Sequence, residues 1–161
     1  MYRQILQATA MGNHQGGTSG DSARREWLAV LARMTPEALQ SLVDSAGRIP
    51  DYRLPRPADV GLCMVRGRVG GAGRRFNFGE ATVTRCVVVL DDQTTGVAYV
   101  LGRDPRKAEL AALGDALLQT GHLDGAALDG AREALQQRRR RRADAVASTR
   151  VDFFTLTRGE D

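Results

Sequence analysis

Residues 82–90, TVTRCVVVL, carry the strongest strand pattern in the chain and decide its fold class. The run is dominated by valine and threonine, whose branched side chains suit an extended backbone. Successive side chains of a strand point to opposite faces, so Val83, Val87 and Val89 share one face and Arg85 lies among them. The sequence therefore predicts a strand that carries an arginine on an apolar, buried face.

Arg85 needs a partner, because a charged group on an apolar face is costly unless it is paired or reaches solvent. One alternative is an internal ion pair with Glu80 or another acid of the chain. The other is a pair with an anionic ligand or with a neighbouring subunit. Buried charges are paired in either case, so the residues alone leave both alternatives open.

The segments on either side of this strand predict two further strands. Residues 60–69, VGLCMVRGRV, read as a strand whose first half is apolar at nearly every position, which predicts burial on both faces. Residues 52–56 precede it and read as an extended edge strand or a connection, because they include Pro55. The turn DDQTTG leads to another strand at 97–101. Three adjacent strands with short links predict an antiparallel sheet.

Helical patterns flank the sheet on both sides, and each has a start signal. Asp21-Ser22 can cap the first helix, Thr35-Pro36-Glu37 starts the second, and Asp104-Pro105 starts the third. The apolar stripes of these helices contain Trp27, Leu31 and Met34, then Leu39, Leu42, Val43 and Ala46, then Leu110, Leu113 and Leu117. Gly47 and Gly121 can end the second and third helices, and a fourth helix is predicted over 126–147.

The predicted fold class is α+β: an N-terminal helical hairpin, an antiparallel β-sheet meander, two further helices and an extended C-terminal segment. Residues 1–20 are polar and predict a disordered tail, and residues 21–161 predict a single domain. The first 20 residues lack the apolar core of a signal peptide, and no apolar run approaches the roughly 20 residues of a membrane span, so a cytoplasmic location is expected.

Three glycines, Gly70, Gly71 and Gly73, precede Arg74-Arg75 and resemble a phosphate-binding loop. A Walker loop ends in Gly-Lys-Ser/Thr, which is missing here, and a dinucleotide loop is followed by a helix, whereas a strand follows this one. Both phosphate-loop hypotheses fail. The glycines instead predict positive φ angles in a broad hairpin connection.

The charge balance favours an anionic partner. The chain has 23 Lys and Arg against 19 Asp and Glu, a formal net charge of +4 and a pI of about 9.7. The run RRRRR at 138–142 suggests a nucleic-acid-binding module as an alternative function. The favoured interpretation is a solvated or partner-facing helix, because no aromatic residues alternate with these arginines to stack on bases.

Neither a metal site nor a catalytic residue is predicted. Cys63 and Cys86 lie in apolar strand patterns and read as reduced core thiols, while His14 and His122 show no zinc-binding spacing. No Ser-His-Asp, Cys-His or paired-carboxylate pattern stands out. An autonomous enzyme is therefore disfavoured, and a subunit or binding protein with a basic surface is the better interpretation.

Four separated segments resemble the PhnG family, whose members are subunits of the bacterial carbon–phosphorus lyase core complex. The segments are REWLAVLA at 25–32, RVGGAGRRFNFGEATVTRCVVVL at 68–90, GVAYVLGRD at 96–104 and RVDFFTLTRGE at 150–160. The resemblance covers residues 25–160 and leaves the first 20 residues outside.

The resemblance implies an accessory, non-catalytic role in phosphonate breakdown. With PhnH, PhnI and PhnL partners, such a protein takes part in the reaction of methylphosphonate with ATP. Adenine leaves the ribose C1′ and α-D-ribose 1-methylphosphonate 5-triphosphate forms. The nucleosidase chemistry is attributed to PhnI, and the later radical cleavage to PhnJ with its iron–sulfur cluster. The implied assembly contains PhnI-, PhnH- and PhnJ-like subunits and two copies of each chain. ATP and methylphosphonate are substrates of the complex, and no cofactor is expected in this chain.

The candidate site residues fall into two groups. Residues expected near the substrate or at an interface are Gly70, Gly71, Gly73, Arg75, Phe76, Glu80, Thr82, Thr84, Arg85 and Arg103. Residues expected to dock a partner are Arg150, Asp152, Phe153 and Phe154. The three arginines of the first group are the candidates for contact with ATP or phosphonate. The adjacent Phe153 and Phe154 point to opposite faces of an extended strand, so at least one is a candidate for burial by a partner. The alternative is that both pack in the chain's own core.

Overall fold

A computed structural model describes residues 19–69 and 72–149. Its helices are α1 (Ser19–Leu31), α2 (Pro36–Asp44), α3 (Pro105–Gln119) and α4 (Asp129–Ala147), the last preceded by a 3-10 turn at Gly125–Leu128. Its strands are β1 (Tyr52–Arg68), β2 (Arg75–Leu90) and β3 (Thr95–Leu101). The α+β prediction is confirmed in type and order. The tail at 1–18, Gly70, Gly71 and the predicted extended segment at 150–161 lie outside the described residues.

Local sequence signals set the helix ends. The Thr35 hydroxyl accepts a hydrogen bond from the Ala38 N–H, and the Asp104 carboxylate accepts one from the Lys107 N–H, so both predicted N-caps are confirmed. Gly47 and Gly121 have positive φ angles just beyond α2 and α3, as their predicted stop role requires. Helix α1 differs from the prediction because it begins at Ser19, before the expected cap at Asp21-Ser22.

The three strands form one antiparallel sheet in the order β1-β2-β3, with β2 in the centre. The predicted meander is confirmed, but two strands are longer than expected. Strand β1 joins the two predicted segments into one element, Tyr52–Arg68, which ends one residue before the predicted end at residue 69. Strand β2 begins at Arg75 instead of residue 82. The phenylalanine- and glycine-containing stretch after the turn is therefore part of the central strand.

Among the described residues, the face of the sheet that points away from α3 is largely uncovered, although Val89 at one end of it is buried. The core lies between α3 and the other face of the sheet. Thr84, Cys86, Val88 and Leu90 of β2 are buried on that face. Arg85 is half-buried on the opposite face, so the prediction of a buried-side arginine is wrong. Both faces of β2 are apolar, and alternation alone does not show which of them a helix will cover.

Helix α3 is the centre of the core. The predicted stripe of Leu110, Leu113 and Leu117 is buried, but the intervening alanines are buried too, so the helix is enclosed on all sides. It packs on the sheet with one side, while α1 and α2 flank it on the other. Each N-terminal helix contacts α3, which makes α3 the link between the helical layer and the sheet.

The β1–β2 hairpin extends past the helices, and this overturns the prediction that the first half of residues 60–69 is buried on both faces. Val60, Leu62, Met64 and Val65 are exposed. Strand β3 pairs with β2 only from Val83 onward, so it ends short of Leu62, Met64 and Val65, whereas Val60 lies on the edge strand opposite Thr84. Cys63 is exposed for the same reason, so the expectation of a core thiol holds for Cys86 alone. Both cysteines are free thiols.

Helix α4 contributes almost nothing to the core. None of residues 129–147 is buried, and the arginine run at 138–142 is exposed throughout. Leu128 of the preceding turn is fully buried and Leu135 packs against the core edge, which anchors only the start of the helix. The predicted solvated or partner-facing helix is confirmed as solvent-exposed. No helix within 19–69 and 72–149 has the length and apolarity that crossing a membrane requires.

Candidate interaction surface

The sheet face that points away from α3 is open, and we call it the outer face. It consists of Asp59, Gly61, Val83, Arg85, Val87, Val97, Tyr99 and Leu101, which the strand register places side by side. Tyr99 is 62% exposed and Leu101 is 76% exposed. Large apolar side chains that lie together and uncovered on a sheet mark a surface for a binding partner.

Arg85 forms an internal ion pair in the middle of the outer face. Its Nε donates to Asp59 Oδ1 at 2.8 Å, and its terminal Nη2 donates to Oδ2 at 3.1 Å. This bidentate ion pair holds the pKa of the Asp59 carboxyl below its ordinary value and raises the pKa of the Arg85 guanidinium. The internal-pair alternative is confirmed, but the acid is Asp59 on the neighbouring strand and not Glu80.

We expect Asp59→Asn to lower the urea midpoint of unfolding slightly at pH 7, because Arg85 loses its charged partner. The pKa of Asp59 is depressed in the folded chain by its hydrogen bonds from Arg85. The ion pair therefore stabilises the fold fully above the ordinary Asp pKa of about 3.9, and this stabilisation is lost as the pH falls below that value and Asp59 is protonated. The difference between wild type and variant should therefore shrink below that pH. Urea titrations at several pH values measure this. Asp144→Asn, an exposed residue of α4, is the matched control, and an equal effect at both positions would contradict the pairing.

The far part of the hairpin, residues 62–68 and 75–82, is a two-stranded ribbon that we call the arm. Strand β3 pairs with β2 only from Val83 onward, so the described part of the chain places no third strand beside the arm. Seven residues of strand make it about 23 Å long at roughly 3.3 Å per residue. On one face it continues the outer face with Cys63, Val65 and Phe76. On the other face it carries Arg66 and Arg68 together with the exposed Leu62 and Met64.

A β-bulge shapes the arm near its end. Val65 lies opposite Gly79 and Arg66 lies opposite Asn77, which leaves Phe78 with no residue across from it. The Phe78 side chain is 77% exposed, and its ring centroid lies 6.3 Å from that of Phe76 in an edge-on arrangement. The bulge therefore presents an aromatic pair to solvent.

Two glycines, Gly67 in the arm and Gly73 in the turn at its end, make room for other groups. A Cβ on Gly67 would lie 3.2 Å from the Phe76 ring, so the ring rests on the glycine backbone. Gly73 donates its N–H to the Val69 carbonyl at 2.7 Å, and a Cβ there would lie 2.5 Å from that oxygen. Gly73 does not have a positive φ angle, so that prediction is wrong: this glycine serves the close approach of the turn.

Thr82 and Thr84 hold the loop that follows β3. The Thr84 hydroxyl is fully buried, donates to the Gly102 carbonyl at 2.7 Å and accepts from the Asp104 N–H at 3.0 Å. The Thr82 carbonyl accepts from the Gly102 N–H at 2.9 Å. This loop leaves Arg103 exposed beside the sheet. The Thr84 side chain and the Thr82 backbone therefore hold this loop in place.

The three candidate arginines do not meet at one place. Arg75 begins β2 and Arg85 lies ten residues along the same strand, about 33 Å away at roughly 3.3 Å per residue. Glu80 is exposed on the arm, opposite Met64. Among the other candidates, Gly70, Gly71, Arg150, Asp152, Phe153 and Phe154 lie outside the described residues.

Asp115 of α3 is the buried polar residue that sequence reasoning missed. Its carboxylate has no exposed surface and accepts hydrogen bonds from the Trp27 indole at 2.8 Å, from Arg24 Nη2 at 2.8 Å and from the Val97 N–H at 2.9 Å. It therefore ties α1 and the edge strand β3 to the central helix. The signal available was a single acid inside the apolar run LAALGDALL.

Buried polar side chains elsewhere in the described ranges are also hydrogen-bonded. No buried side-chain nitrogen or oxygen in those ranges is without a hydrogen-bond partner, and no three His, Cys, Asp or Glu side chains there are grouped to hold a metal ion. What stands out instead is the apolar outer face, the arm that extends it and the arginines on the reverse of the arm.

Comparison with known proteins adds two findings. The family model described as "Phosphonate metabolism protein PhnG" matches residues 22–159. The chain is also 42% identical over 147 residues to the "Alpha-D-ribose 1-methylphosphonate 5-triphosphate synthase subunit PhnG" of Rhizobium meliloti (strain 1021), and the match covers 89% of this chain and 94% of that protein.

Proposed function

Because the chain belongs to the PhnG family of phosphonate metabolism proteins, we propose that it is an accessory subunit of an α-D-ribose 1-methylphosphonate 5-triphosphate synthase. The proposed complex transfers methylphosphonate to the ribose C1′ of ATP and releases adenine. The similar protein of Rhizobium meliloti is named as a subunit of that synthase, and the match spans almost the whole of both chains.

The observation that carries this proposal is the uncovered outer face together with the arm. An isolated chain leaves Leu62, Phe78, Tyr99 and Leu101 in water, each more than 60% exposed. A surface of this kind is buried in a stable assembly, because the removal of apolar area from water drives association. The feature fits a protein that functions inside a complex.

The contacts of two candidate residues, Arg85 and Thr84, and of the buried Asp115 support an accessory role. Arg85 is engaged by Asp59, Thr84 by the loop after β3, and Asp115 by three donors. These polar groups stabilise the fold, which leaves them poorly placed to perform chemistry on a substrate. We propose that the reaction takes place on the other subunits and that this chain contributes to their assembly.

PhnI-, PhnH- and PhnJ-like subunits are the proposed partners, with two copies of each chain in the complex. ATP and methylphosphonate would bind as substrates of the assembly, and the cytoplasm is the proposed location. The net charge of +4 suits acidic faces on those partners.

Co-expression tests this function. The chain is produced with the PhnI-, PhnH- and PhnJ-like subunits from the same source, and the mixture is separated by size exclusion. We expect the chain to elute with the other subunits, and we expect adenine release from ATP and methylphosphonate to fall at least about tenfold when the chain is omitted. Elution as a separate monomer, or full adenine release without it, would argue against the proposal.

A further inference from the structure

The arm has two chemically different faces. The strand register places Cys63, Val65 and Phe76 on the side that continues the outer face, and Val69 follows them in the turn. Arg66, Arg68 and Arg75 lie on the reverse side. The reverse side also carries the exposed Leu62 and Met64, so it combines apolar and basic side chains. Within residues 19–69 and 72–149, the arm pairs with no strand other than its own two.

Phe78 gives the arm a feature typical of an interface anchor. The bulge removes it from the pairing pattern, it is 77% exposed, and it contacts the ring of Phe76. Phe76 in turn rests on Gly67, so the pair is held in place before any partner arrives. Side chains that fill a pocket while already ordered contribute most to binding, because little conformational entropy is lost.

The charge of the arm indicates what lies against it. Arg66, Arg68, Arg74 and Arg75 lie in or beside the arm, against the single acid Glu80. Within residues 19–69 and 72–149, none of these four arginines forms an ion pair. A surface that covers the arm is therefore expected to carry carboxylates opposite the arginines.

We propose that the arm inserts into a cleft of another subunit of the synthase, where apolar side chains cover its outer side and carboxylates face its arginines. This inference rests on the proposed function and names the surface through which the chain enters the complex. Nucleic acid fits less well, because phosphates would contact the arginine face and leave the apolar face in water. A second copy of the chain fits less well because its arm carries the same four positive charges.

The two cysteines of the chain provide a direct test. Cys63 is exposed on the apolar face of the arm, whereas Cys86 is buried in the core and burial raises the pKa of its thiol. The free chain and the purified complex are treated with iodoacetamide, and peptide mapping follows these two residues alone. We expect Cys63 to react at least about tenfold more slowly in the complex, while Cys86 stays unmodified in both samples.

Matched variants test each face. Phe78→Ser is compared with Val146→Ser, since both are large, exposed apolar residues but only the first lies on the arm. Arg66→Glu with Arg68→Glu is compared with Arg140→Glu with Arg141→Glu on α4. We expect the arm variants to bind the co-expressed subunits at least about tenfold more weakly, and the α4 controls to bind like wild type. The fluorescence of Trp27 checks that each variant is folded.

The outcomes separate the two proposals. If wild type does not elute with the other subunits, the proposed function fails and this inference fails with it. If the complex forms but Cys63 reacts as fast as in the free chain, only the arm is wrong. Protection of Cys63 by duplex DNA at low salt, with none from the subunits, would overturn the inference in favour of nucleic acid.

Discussion

Replacing Asp115 by alanine is expected to lower the free energy of unfolding by about 3 kcal/mol, enough to remove a large part of the stability of an ordinary domain. The carboxylate is fully buried and accepts from three residues on two elements, Arg24 and Trp27 of α1 and Val97 of β3. Its loss removes the acceptor of the Trp27 indole and of the Val97 N–H, both of which form part-buried hydrogen bonds. Each such group costs about 1–3 kcal/mol.

The loss of unfolding free energy stays at the lower end of the range for removing one partner of a buried ion pair, because Arg24 is partly solvated. Its side chain is 34% exposed, so the guanidinium can recover some hydration when Asp115 is removed. Asp115→Asn keeps one carbonyl acceptor and should give a smaller loss.

Urea unfolding followed by circular dichroism and by the fluorescence of the single tryptophan measures this prediction. We expect the Asp115→Ala midpoint to fall by about 1–3 M, given typical urea slopes of roughly 1–3 kcal/mol per M. Asp144→Ala is the control, because it changes an exposed aspartate of α4 and should remain within about 0.5 kcal/mol of wild type. Equal midpoints for the two variants would refute the structural role of Asp115.

Gly96→Ala is the second substitution with a large expected effect, and the reason is the separation between β3 and α3. A Cβ at position 96 would lie 2.1 Å from the Ala112 carbonyl oxygen and 2.9 Å from the Ala116 backbone nitrogen. Both atoms belong to the backbone of a helix, so no side-chain rotation can relieve the overlap. The strand and the helix must move apart, and we expect a loss near the upper end of the roughly 1–3 kcal/mol that overpacking costs.

Gly130→Ala provides the matched control for Gly96. Gly130 lies in the exposed helix α4, and a Cβ there meets nothing within 4 Å. Alanine should raise stability there by about 0.4–1 kcal/mol, since it restricts the unfolded chain and favours the helix. The two glycine-to-alanine changes should therefore shift the thermal midpoint in opposite directions. A shift of the same sign and size at both positions would show that β3 and α3 are not packed this closely.

The elements that sequence predicted well are those set by neighbouring residues. Thr35 and Asp104 cap the helices as expected, and Gly47 and Gly121 end them, because capping and positive φ angles are local properties. The α+β order follows from the same signals. The extent of β1 and β2 was underestimated, because glycines and arginines weaken the strand pattern in the part that extends beyond the core.

The interaction surface was harder to predict because it depends on contacts between distant parts of the chain. Both faces of β2 are apolar, and only the position of α3 decides that Cys86 is covered and Arg85 is not. The partner of Arg85 is Asp59, 26 residues away, which the strand register selects. The bulge that frees Phe78 has no clear sequence signal, although the aromatic residue itself was present in the stretch that resembled the family.

The arm has a further consequence for the chain before it meets its partners. Both long edges of this ribbon lack a neighbouring strand in the described part of the chain, so their backbone groups can pair with another molecule. Repulsion between the arginines opposes such stacking, but salt screens it, with a Debye length of about 10 Å at 0.1 M and about 3 Å at 1 M. A copy of the chain that has no partner subunit is therefore kept from pairing with other copies mainly by its charge. Balanced synthesis of the subunits would protect the cell from fibrous aggregates of this one.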